Sequence, residues 1–80
     1  MYKRPNKLSP VQVFQLFCLE SYRSAKGISG TNALSDFRRA GVFSFLASGF
    51  EVLHTQSKNY LVAEITEFIN RRNATLSRKY

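Results

Sequence analysis

Residues Phe50 to Ile69 read FEVLHTQSKNYLVAEITEFI, and this stretch decides the fold. It opens on Phe50-Glu51-Val52-Leu53-His54-Thr55, which shows no helical period. It then becomes amphipathic. Tyr60, Leu61, Val62, Ile65, Phe68 and Ile69 recur at helical spacing and define one broad apolar face, with Glu64, Glu67 and Asn70 away from it. Ser57 suits the N-cap, because its hydroxyl can accept from a free amide of the first turn. A helix this apolar on one side must be covered by the rest of the chain.

Upstream, Ser9-Pro10 marks a helix start: serine as cap, proline where its missing amide does no harm. Val11, Val13, Phe14, Leu16, Phe17, Cys18, Leu19, Tyr22 and Ala25 then cover most of a helix's circumference. Such a helix is expected at the centre, packed from several sides. Lys26-Gly27 ends it. Ser29 or Thr31 caps a second helix in which Ala33, Leu34, Phe37 and Ala40 share a face, and Ile28 is placed to staple onto it. Gly41 breaks that helix. Val42, Phe43, Phe45 and Leu46 form a short third one, closed by Ser48-Gly49. No segment alternates with period two for long. The expected fold is all-α, a compact bundle of four helices over about 10–26, 31–40, 42–48 and 58–71. The expected organisation is a basic arm at 1–8, one helical domain at 9–70 and a basic tail at 71–80.

Eighty residues make one domain with a small core, marginal unless its helices pack well or a partner adds buried area. A partner of that kind includes a second copy of the chain. The net charge of +7 is not spread evenly. Lys3, Arg4 and Lys7 sit at one end, and Arg71, Arg72, Arg78 and Lys79 at the other. Between them, five cations face five carboxylates. Basic ends can grip phosphate, which keeps a nucleic-acid-binding or autoregulatory role as the alternative, but they also serve as solubilising ends. Apolar runs fall well short of the roughly 20 residues that span a bilayer. No apolar run follows Met1-Tyr2-Lys3-Arg4, so no secretory signal is read, and the lone Cys18 fits a reducing compartment. The expected location is the cytoplasm.

Catalytic signals are sparse. His54 is the one histidine, and Cys18 the one cysteine that could pair with it. Cys18, however, lies in the most apolar run of the first helix, where a thiol is normally inert. A histidine at a helix junction more often bonds backbone carbonyls than it catalyses. One histidine and one cysteine cannot fill a zinc site, and the acidic residues lack calcium-loop spacing. No phosphate-binding loop is present. The expectation is no enzyme, no metal and no cofactor. The segment 29–49 invites a helix-turn-helix reading, but Val42-Phe43-Ser44-Phe45-Leu46-Ala47-Ser48 offers no side chain to read base edges. What remains is an aromatic surplus. Phe43, Phe50 and Tyr60, with His54, Arg38 and Arg39, are the candidates for contacts with a protein partner, since aromatic residues and arginine dominate interface hot spots.

Taken together, Ile28-Ser29-Gly30, Ala33 with Phe37, Gly41-Val42, Phe45-Leu46, Gly49-Phe50, Val52-Leu53-His54-Thr55-Gln56 and Tyr60-Leu61-Val62 with Ile65 and Phe68-Ile69 resemble a family of very small bacterial proteins described only as a domain of unknown function. The resemblance spans about residues 9–69, and its most specific element is Leu53-His54-Thr55-Gln56. It implies no activity. It implies a neighbouring gene for an ADP-ribosyltransferase-like protein, hence an antitoxin-like or accessory role, with that possible toxin as partner.

Overall fold

The computed structural model describes residues 8–77, and the side chains of 8–74. It is helical throughout, with no strand among the described residues. The helices are α1 (Pro10–Lys26), α2 (Gly30–Ala40), α3 (Val42–Ser48), α4 (Phe50–Leu53) and α5 (Lys58–Ser77).

Local chemistry sets the boundaries. Ser9 caps α1 with a full capping box: its Oγ accepts from the Gln12 amide at 3.1 Å, and its own amide donates to Gln12 Oε1 at 2.9 Å. Gly27 ends the helix at φ 66°, a left-handed turn in which side chains are strained. Ser29 caps α2 through the Asn32 amide, so the cap is Ser29 and not Thr31, and the helix begins at Gly30. Gly41, at φ 75°, closes α2 and starts α3. Ser57 caps α5, its Oγ accepting from the Tyr60 amide at 3.1 Å.

Two boundaries differ from the sequence expectation. A fifth helix is present: Phe50–Leu53, expected to be non-periodic, closes one α-turn, with the Leu53 amide donating to the Gly49 carbonyl at 2.8 Å. One turn is too short to display a period. The last helix also continues past 71 to Ser77. Asn70-Arg71-Arg72-Asn73 contains no glycine or proline to stop it. Glu67 pairs with Arg71 at 3.6 Å one turn on, and the Arg72 guanidinium lies 5.2 Å from the Phe68 ring centre. The arm proposed for 1–8 falls outside the described residues except for Leu8, as do Arg78 and Lys79 of the tail.

Helices α1, α2 and α5 pack mutually, and α3 closes onto all three. The core is Phe14, Cys18 and Tyr22 of α1, Ala33, Phe37 and Ala40 of α2, Val42 and Leu46 of α3, Leu53 of α4, and Leu61, Ile65 and Ile69 of α5. Phe37 is fully buried between the Tyr22 and Phe43 rings, at 5.4 and 5.3 Å. The Tyr22 hydroxyl donates to Asp36 Oδ2 at 2.8 Å, and burial and then that carboxylate push the phenol up to about 12. Gln15 Nε2 donates to the Phe43 carbonyl at 2.8 Å, tying α1 to α3.

The expectation that α1 is enclosed on several sides does not hold. Its buried residues keep to one face, while Val13, Leu16 and Phe17 stay about half exposed. Helices α2, α3 and α5 pack against α1 from the side of Phe14, Cys18 and Tyr22. Leu34, expected on the core face of α2, is also exposed, at the flank of that face.

Candidate functional site

The uncovered side of α1 forms one wall of an apolar groove of about 540 Å³. Leu8, Pro10, Val13 and Phe17 line it from the α1 side. Phe14 and Phe50 also line it, their rings meeting edge-on at 5.5 Å. His54, just after α4, lines the other side. Because α4 is one turn long, Phe50 and His54 lie on the same side of it, and their rings stack at 4.4 Å. His54 Nδ1 lies 2.6 Å from the Phe50 carbonyl oxygen, which fixes the ring against its neighbour.

Among the described residues, no Lys, Arg, Asp or Glu side chain lines the groove. The next residue on the same stripe of α1 is Glu20, four beyond Leu16, and it is already committed. The Arg23 guanidinium donates to both of its oxygens, at 2.6 and 3.0 Å. These hydrogen bonds hold the Glu20 carboxyl below its usual range, helped by the charges of Arg23 and Lys58. Roughly half of Leu8 (47%), Val13 (53%) and Phe17 (46%) remains in water. With Leu16 this is on the order of 300–400 Å² of apolar surface, within the range of the largest patch on an ordinary monomer, which is often functional.

Of the residues singled out from sequence, Phe50 and His54 are brought together here, and the others are not. Phe43 is half-buried and fills the core against Phe37. Tyr60 stands 44% exposed in the first turn of α5. Arg38 and Arg39 lie on the outer face of α2. Arg71 and Arg72 are helical, beside Glu67 and Phe68 respectively, while Lys3, Arg4, Lys7, Arg78 and Lys79 lie outside the described residues. The sequence singled out none of Leu8, Pro10, Val13 and Phe17. The signal was the breadth of the apolar surface on α1, which exceeds what one packing face uses.

Cys18 is fully buried beneath this surface, and burial pushes its thiol up to about 11. It is therefore a buried, protonated thiol at neutral pH. Among the described residues no group of three histidine, cysteine or carboxylate side chains could hold a metal ion. No described helix is long and apolar enough to cross a membrane.

Neither the curated proteins nor the solved structures contain a match to this chain. A family does match, over residues 2–72, which includes α1 to α4 and most of α5, groove and core together. The chain therefore belongs to the family described as protein of unknown function, DUF3791.

Proposed function

We propose that this chain is a non-catalytic module that binds a protein partner in the cytoplasm, and that the groove between α1 and α4 is where the partner docks. The observation that carries the reading is the uncovered stripe of α1, with Val13 and Phe17 half in water beside Phe50 and His54. Covering such a stripe at about 25 cal/mol per Å² gives a gross gain on the order of 8–10 kcal/mol before the costs of association. A chain this small has few other ways to add to its buried area. The described lining, with no Lys, Arg, Asp or Glu side chain, fits a partner that presents apolar side chains rather than a charged ligand.

The partner implied by the family resemblance is an ADP-ribosyltransferase-like protein encoded beside the chain, which would make this chain antitoxin-like or accessory. Co-expression of the two followed by size exclusion tests the reading. A shared peak is expected, split by a V13E/F17E double variant that keeps its helical circular dichroism. Separate elution of the unmodified proteins at micromolar concentration would end it.

A further inference from the structure

A second groove of about 440 Å³ lies on the outer face of α2, lined by Thr31, Leu34, Ser35, Arg38 and Arg39. Spacings of three and four residues put these side chains side by side. Three of the five carboxylates are committed elsewhere: Glu20 to Arg23, Asp36 to Tyr22 and Glu67 to Arg71. Arg38 and Arg39 pair with no carboxylate among the described residues. Cations in the last turn of a helix complement its dipole. That end of α2, however, is already served. The Gly41 amide meets the carbonyls of Phe37 and Arg38, and Arg72 Nη2 lies 3.5 Å from where a Gly41 Cβ would stand.

We propose that this face docks an acidic segment of a partner protein. Arg38 and Arg39 take its carboxylates, and Leu34, Thr31 and Ser35 form the floor beneath its chain. Guanidinium presents two parallel N–H donors that match a carboxylate, so adjacent arginines favour a partner with closely spaced acids. The chain's excess of +7 adds attraction for such a segment at longer range. A protein segment fits better than nucleic acid on two counts. Leu34, 37% exposed, is an apolar contact that a phosphodiester backbone cannot use. The following α3, VFSFLAS, brings no basic or amide side chain to extend a phosphate track.

Anisotropy of a labelled oligoglutamate peptide at low salt tests this, with a duplex DNA fragment in parallel. An R38Q/R39Q variant is compared with K26Q/K58Q, which loses the same charge elsewhere. The expected result is about ten-fold weaker peptide binding for R38Q/R39Q and about two-fold or less for K26Q/K58Q. Equal weakening by both variants, no peptide binding by the unmodified chain, or tighter binding of DNA that R38Q/R39Q alone removes would each overturn the proposal. The two grooves share no residue, so docking on α1 and docking on α2 stand or fall separately.

Discussion

Replacing Ile65 by alanine removes everything beyond Cβ from a fully buried side chain at the middle of α5. Its neighbours on that face, Leu61 and Ile69, are one turn away on either side and also buried. They belong to the backbone of a helix held at its start by Ser57, so they cannot close around the gap without displacing α5 from α1 and α2. The loss is then transfer free energy plus an unfilled cavity, roughly 2–5 kcal/mol. The roughly 70 described residues correspond to roughly 4–10 kcal/mol in total, so this one change removes about a fifth or more of that stability. For a domain of this size, 3 kcal/mol corresponds to a fall in Tm of about 12–24 °C. Urea unfolding followed by circular dichroism reads it as a lower midpoint at unchanged slope. Val52→Ala, at a side chain 67% exposed, should stay within about 0.5 kcal/mol of the unmodified chain. A loss below about 1 kcal/mol for Ile65→Ala would refute the placement of α5 at the centre of the core.

Gly41→Ala should cost about 1–2 kcal/mol in the same assay, because φ 75° is strained for any side chain even though the added Cβ meets Arg72 only at ordinary contact distance. Gly30→Ala, in the first turn of α2 with open space around it, should be neutral or stabilising by up to about 1 kcal/mol. Ser9→Ala should cost about 1 kcal/mol by removing the capping box of α1, read from the urea midpoint. The phenol of Tyr22, pushed up to about 12 when folded, contributes stability that is whole below the ordinary tyrosine value near 10 and lost as pH rises through 12. Stability should therefore fall between those limits, and a Tyr22→Phe variant should show a shallower fall. Cys18, buried and protonated, should resist a thiol reagent at pH 8 until the chain unfolds, so labelling of the native protein at a free-thiol rate would contradict its burial.

Much of the fold was legible because local signals agree with the packing. Ser9-Pro10 and Lys26-Gly27 bound α1 at the residues that the structure shows, and Gly41 separates α2 from α3. Leu61, Ile65 and Ile69 lie on the expected face. The single turn at Phe50–Leu53 was not legible, since four residues carry no period and its bonds are local backbone ones. The end of α5 was misread because arginines in a last turn look the same as arginines inside a helix until Glu67 and Phe68 are seen beneath them. The groove was half legible. Phe50 was marked as aromatic surplus and His54 as a candidate partner contact, whereas Val13 and Phe17 were assigned to a core that the described helices do not complete.

The 2.6 Å contact between His54 and the Phe50 carbonyl reaches beyond holding a ring in place. A carbonyl oxygen has no proton to give, so Nδ1 must carry one. In the uncharged ring this leaves Nε2 with a bare lone pair. Among the described side chains that line the groove, only that of His54 carries a hydrogen-bonding atom. If a partner docks there as proposed, one whose own N–H or O–H falls opposite Nε2 is favoured over one of equal shape that lacks it.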